Sequence, residues 1–248
     1  MRACMNTWTL AKRELVGYFA SPVAYVFIII FLLLSGFFTF MLGQFFQQGE
    51  ATLAPFFMWH PWLYMFLVPA AGMRLWAEER RSGTFELLFT MPISPTQAIL
   101  GKFLAGWLFL GIALLLTAPM AWTVEYLGSP DWGVVACGYL GSFLVAGTFL
   151  AIASMTSAMT RNQVVSFITS VVVCLLLILA GWPPVTNLIL KWAPANWLVE
   201  AASGISVMTH FDNLQRGLVD VRNLLYFASV AAFALFGTGV ILKGRRGA

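Results

Sequence analysis

Ser21-Pro22-Val23-Ala24-Tyr25-Val26-Phe27-Ile28-Ile29-Ile30-Phe31-Leu32-Leu33-Leu34-Ser35-Gly36-Phe37-Phe38-Thr39-Phe40-Met41-Leu42 contains no charged residue. A helix rises about 1.5 Å per residue, so the 20 residues from Val23 to Leu42 match a hydrocarbon layer roughly 30 Å thick. Ser21 supplies an N-cap and Pro22 sits at the first helical position, where a missing N–H costs nothing. Arg2, Lys12 and Arg13 precede the run, but it is too long for a signal-peptide core and no small-x-small cleavage site follows. It reads as a membrane span.

Similar stretches recur outward from it. Span two is expected from about Pro55 to Trp76, kinked or irregular in its first turn because of Pro61 and Pro69. Spans three to five follow at about Ala98 to Val124, Val134 to Met159 and Val164 to Trp182, and a sixth runs from Leu224 to Leu242. The composition agrees: 60% of the 248 residues are hydrophobic and only 10% charged, more apolar surface than a soluble fold of this length buries. The expected fold is therefore all-α and integral to the membrane, one transmembrane domain over residues 1–248 with six spans.

The net charge of +4 reflects topology and not nucleic acid. With the N-terminus inside, Arg2, Lys12, Arg13, Arg74, Arg80, Arg81, Lys102, Arg161, Lys243, Arg245 and Arg246 fall on the cytoplasmic side. Only Lys191, Arg216 and Arg222 fall outside, a positive-inside bias that puts both termini in the cytoplasm. Arg74, Lys102 and Glu125 lie at span ends, where they can snorkel to water, and the span centres carry essentially no charge. This disfavours a proton-coupled carrier.

Two segments outside the spans show helical periodicity. In residues 1–20, Trp8, Ala11, Leu15 and Tyr18 recur at helical spacing, with Leu10 off the stripe, as in an amphipathic helix on the cytoplasmic face. In the long connection 183–223, Val185 to Trp192 and Ala195 to Met208 read as short helices dipping into the outer leaflet. Span four places Gly138, Ser142 and Ala146 at spacing four, a face for close packing within the subunit, at a dimer seam or along a pathway. Trp107, Phe109 and Phe143 are apolar aromatic residues that would suit a lipid-like or amphipathic cargo if these spans line a pathway.

The most informative stretch joins spans two and three: Glu78-Glu79-Arg80-Arg81-Ser82-Gly83-Thr84-Phe85-Glu86-Leu87-Leu88-Phe89-Thr90-Met91-Pro92-Ile93-Ser94-Pro95-Thr96-Gln97. Thr84 can cap a short helix with Phe85, Leu88 and Phe89 on one face, which Pro92 ends. Ser94-Pro95-Thr96-Gln97 then supplies an N-cap, a proline at N1 and a glutamine at N3, a capping-box-like start for span three. A short amphipathic rod with a charged rim suits docking into a groove on a cytoplasmic partner.

Glu79-x-x-x-Gly83-Thr84-x-Glu86-x-Leu88, with Pro92-x-Ser94 and Gly101-Lys102, closely resembles the cytoplasmic signature of ABC-2 type transporter permeases. Gly17-Tyr18-Phe19-x-Ser21-Pro22-x-Ala24-Tyr25 and Thr209-His210-Phe211-x-x-x-x-Arg216-Gly217-x-x-Asp220 resemble the gliding-motility-associated subgroup of those exporters. The resemblance implies a type V exporter-like fold: an elbow helix at 1–20, a coupling helix within 77–97 and re-entrant helices within 183–223. It further implies an ATPase interface at Glu78, Glu79, Arg80, Arg81, Gly83, Thr84, Phe85, Glu86, Leu88 and Pro92. The partners implied are two cytoplasmic ABC ATPase subunits carrying the ATP and magnesium, a second permease chain, identical or homologous, membrane lipid and, as an option, a periplasmic auxiliary protein. The location implied is the inner membrane.

No GxxxxGK[ST] stretch occurs, so a P-loop is not expected in this chain. Neither an enzymatic centre nor a resident cofactor or metal is expected: Cys4, Cys137 and Cys174 form no metal spacing, and His60 and His210 read as separate polar groups at the outer interface. A membrane scaffold that docks a cytoplasmic partner without transport is the rival expectation. A membrane enzyme would need a metal site built from His210, Asp212 and Asp220.

Overall fold

The computed structural model describes residues 2–83, 94–192 and 196–244. Among them every regular element is helical. Helix α1 (Arg2–Ala20) is followed at once by α2 (Pro22–Phe37), with Ser21 Oγ accepting from Val23 N at 3.3 Å. Only Ala24, Ile28, Phe31 and Ser35 of α2 are buried, a single helical stripe. A π-helical turn, Phe38–Leu42, and two short turns, α3 (Phe45–Gln48) and α4 (Ala54–Phe57), lead to α5 (His60–Gly72) and α6 (Arg74–Ser82).

The second expected span is thus divided. Pro61 opens α5, and Pro69 within it lacks the N–H that would bond the preceding turn. A further break falls at Met73.

Helix α7 (Pro95–Leu115) starts on a full capping box: Gln97 N donates to Ser94 Oγ at 3.3 Å, and Ser94 N donates to Gln97 Oε1 at 2.9 Å. It bends into α8 (Pro119–Leu127) because Pro119 cannot donate to Leu115 O, which takes Ala118 N instead. Asp131 caps α9 (Trp132–Met159), and Asn162 caps α10 (Gln163–Leu179).

Three short helices follow, α11 (Pro183–Trp192), α12 (Asn196–Ile205) and α13 (Val207–Gln215), before α14 (Val221–Gly244). The expected helix from Ala195 to Met208 is split at Ser206, whose Oγ caps α13 by accepting from Met208 N.

Among the described residues four segments are long and apolar enough to cross a membrane: Pro22–Gln47, Pro95–Leu127, Trp132–Met159 and Val221–Gly244. The α10 helix is apolar but has 17 residues, about 26 Å of rise. Of the six expected spans, four coincide with these segments, while the fifth falls on the shorter α10 and the second on the proline-broken α4–α5–α6, neither of which is long enough by this measure.

At the centre stands α9, packed against α5, α6, α7, α10, α13 and α14. Hydrophobic burial does not drive helices together in lipid, so close backbone approach matters most. A Cβ on Gly138 would stand 2.4 Å from Phe57, and one on Gly72 would stand 2.5 Å from Ala153. Gly138, Ser142 and Ala146 all face the interior of this chain, with Ser142 and Ala146 buried.

Candidate functional site

Helix α6 carries the first four residues of the expected interface, and it is fastened to its neighbours on two sides. Leu75, Trp76 and Ala77 are buried, while Glu78 and Arg81 are exposed. Gly83 ends the helix in the left-handed region at φ 73°, a conformation that favours glycine. Thr84, Phe85, Glu86, Leu88 and Pro92, the rest of the expected coupling helix, lie outside the described residues.

Toward α9 the ties are hydrogen bonds. Ser157 Oγ accepts from Trp76 N and Ala77 N, each at 3.0 Å, and donates to Met73 O at 2.8 Å. The serine hydroxyl therefore bridges the junction where α5 gives way to α6, holding two first-turn amides of α6 and the carbonyl of its N-cap residue Met73. Trp76 Nε1 donates to Ser154 Oγ at 3.0 Å, and Arg80 Nη1 donates to Ala158 O at 2.6 Å.

Toward α7 and α1 the tie is ionic. Lys102 Nζ lies 2.8 Å from Glu79 Oε1 and 3.4 Å from Glu14 Oε2, and 5.6 Å above the Trp76 ring. The lysine side chain is 7% exposed, against 23% for Glu79 and 26% for Glu14. An ammonium this deep requires its carboxylates. Lys102 therefore does not snorkel to water, as its place near a span end predicted; it is turned inward where α1 and α6 both meet α7.

The α1 contact also revises the expected stripe. Leu10 and Ala11 are buried and Trp8 is exposed. Leu10 fills the notch at Gly101, where an added Cβ would come within 2.8 Å of it. Farther along, Tyr18 stacks on Phe109 with centroids 5.2 Å apart, so α1 runs in the same direction as the first half of α7.

Other sequence candidates land elsewhere. His60 is fully buried, not interfacial: its Nδ1 hydrogen-bonds Ser142 Oγ at 2.7 Å and its ring meets Phe56 edge-on at 4.4 Å. The broken span brings that turn in against the small residues of α9. His210 has its ring nitrogens 2.8 Å from Asn223 Oδ1 and 3.2 Å from Gly204 O, and stacks on Tyr226. Burial raises the Asp212 carboxyl above its ordinary pKa, with Arg216 opposing. Asp220 Oδ1 accepts from Arg222 N. Among the described residues no three His, Cys, Asp or Glu side chains gather as a metal site, so His210, Asp212 and Asp220 are not brought together.

The aromatic residues assigned to a cargo surface are packing groups. Phe109 is buried among Tyr18, Phe19 and Phe27. Trp107 stacks on Phe143 at 4.4 Å and donates its Nε1 hydrogen to Phe143 O at 2.9 Å. Ser154 and Ser157 escaped the sequence reading. Their signal is two serines three residues apart at the end of an otherwise apolar span.

Comparison with curated proteins finds no match. Residues 50–242, more than three quarters of the chain and all of α4 to α13 with most of α14, match the family described as ABC-2 family transporter protein. With that match and its membrane-length helices, the chain belongs to the ABC-2 transporter family and is a transmembrane ABC permease.

Proposed function

We propose that the chain is the pathway-forming subunit of an ABC-2 type exporter of the inner membrane, working as a dimer with separate cytoplasmic ATPase subunits. In this reading α1 is the elbow helix, both termini are cytoplasmic, and the segment after Gly83 is the coupling helix. The carrying observation is how α6 is held: three side-chain ties to α9 and one ion pair to Lys102 on α7, with Glu78 and Arg81 left exposed. Force applied by an ATPase beyond Gly83 then reaches two spans and α1 directly. ATP-driven closure of the ATPases pushes α6, and the bundle rocks toward its outward-open form. The subgroup resemblance adds a gliding-motility-type exporter as the finer assignment.

The test is charge reversal at exposed Glu78 and at Glu86, with affinity purification of the chain from its native membrane. The expected result is loss of the co-purifying ATPase. Glu79 is a poor choice for this purpose, because reversing it also breaks the Lys102 pair. An ATPase that still co-purifies, with undiminished ATP turnover, removes the docking assignment. A single-cysteine label at Arg81 that reacts only from the periplasmic side removes the topology.

A further inference from the structure

The three bonds made by Ser157 Oγ all go to backbone atoms at the α5–α6 junction. The neighbouring ties from Trp76 and Arg80 run through long side chains, whose rotamers can absorb motion. Ser157 fixes the backbone of α6 to that of α9 through one short side chain.

From Ser157 the α9 helix continues to Trp132 without a proline or a break, the whole element being 28 residues or about 42 Å long. At its far end it meets α13 closely. A Cβ on Gly141 would lie 3.1 Å from Leu214 Cβ and 3.2 Å from Phe211, two fully buried side chains. Val134 likewise stands against Gly217, just past α13. Ser157 and Gly141 are separated by about 24 Å of helix rise.

We propose that Ser157 is the positioning residue through which a displacement of α6 enters α9, and that α9 delivers it as a stiff rod to α13 at the opposite membrane face. The inference rests on α6 being part of the coupling element proposed above. It adds which residue transmits and where the motion arrives.

The experiment is hydrogen exchange on the chain with its co-purified ATPase in nanodiscs, without nucleotide and with ATP plus vanadate. In the wild-type complex nucleotide alters protection both in 74–82 and in 207–215. In Ser157→Ala the amides of Trp76 and Ala77 exchange about ten-fold faster, having lost the Ser157 hydroxyl as acceptor. The nucleotide response of 74–82 persists while that of 207–215 is lost. Ser157→Thr, which keeps a hydroxyl, restores the distant response, and Ser154→Ala leaves it intact.

Should Ser157→Ala not assemble, Gly141→Ala tests the far contact. It abolishes the response in 207–215 and leaves the Trp76 and Ala77 amides unchanged. An unaltered 207–215 response in Ser157→Ala or Gly141→Ala overturns the inference and leaves the coupling assignment standing. Unchanged amide exchange at Trp76 and Ala77 in Ser157→Ala also overturns it. A wild-type complex whose 74–82 segment ignores nucleotide removes the coupling assignment, and this inference with it.

Discussion

Removing Glu79 leaves a nearly buried ammonium with one distant carboxylate, and the size of the loss follows from the geometry. Deleting one partner of a fully buried ion pair costs about 3–5 kcal/mol, because the survivor's charge stays desolvated. The Lys102 side chain is 7% exposed and Glu79 23%, so part of that penalty is relieved by water. Glu79→Ala should then cost about 2–3 kcal/mol. Glu14 is farther from Lys102, 3.4 Å against 2.8 Å, and also pairs with Arg13, so Glu14→Ala should cost only about 0.5–1 kcal/mol. At about 2–4 °C per kcal/mol for a chain of this size, the apparent melting temperature falls by roughly 4–12 °C for Glu79→Ala and by roughly 1–4 °C for Glu14→Ala. The assay is thermal unfolding of the purified chain in nanodiscs at one fixed scan rate, since membrane proteins unfold irreversibly. The decisive variant is Lys102→Met combined with Glu79→Ala. It removes the stranded charge and should melt above Glu79→Ala alone. If the double variant melts lower, by the sum of the two single losses, Lys102 is not a desolvated cation held by Glu79 and the argument fails.

Four further outcomes follow from packing and buried hydrogen bonds. Gly138→Ala forces a Cβ to 2.4 Å from Phe57 and should destabilise by about 1–3 kcal/mol; Gly36→Ala, with nothing within 4 Å, should stabilise by about 0.5–1 kcal/mol. The same melting assay separates them by sign. Ser142→Ala leaves the buried His60 Nδ1 without its partner and should cost about 1–3 kcal/mol, largely recovered by His60→Phe in the same chain. Trp107→Phe loses the bond to Phe143 O and should lower stability by about 1 kcal/mol while keeping the ring stack. Intrinsic fluorescence of that variant loses one indole contribution.

Features written within a few residues were legible. Ser21-Pro22 and Ser94-Pro95-Thr96-Gln97 each contain the side chain, the proline and the spacing that start a helix, and both caps form as read. The prolines of the second span likewise announce its break. Facial assignments were harder, because the partner of a face is remote. Leu10 spoils a stripe drawn on α1 alone, yet it is the residue that fits Gly101 on α7. Lys102 reads as a snorkelling residue until Glu14 and Glu79 arrive from two other helices. His60 reads as interfacial until the broken span carries it to Ser142. Ser154 and Ser157 look like ordinary small residues in an apolar helix, and their role depends on a helix junction some eighty positions earlier.

The distribution of small residues explains why α9 is the hub, while α2 and α14 each keep one face turned outward. Lipid competes with side chains for apolar contact on equal terms, so a helix gains from the interior only where backbones approach closely or polar groups pair. The α9 helix supplies both: Gly138, Gly141 and Gly147 accept Phe57, Phe211 and Trp107, and Ser142, Ser154 and Ser157 bond His60 and the α5–α6 junction. On α2, Val23, Val26, Ile29 and Leu33 remain exposed, and on α14 so do Leu225, Phe233, Phe236 and Val240. Such surfaces are as well served by lipid as by protein. The opposite face of α14 packs along α9, so this helix is held by protein on one side and turned to lipid on the other, while α6 and α13 meet α9 through hydrogen bonds and close glycine contacts.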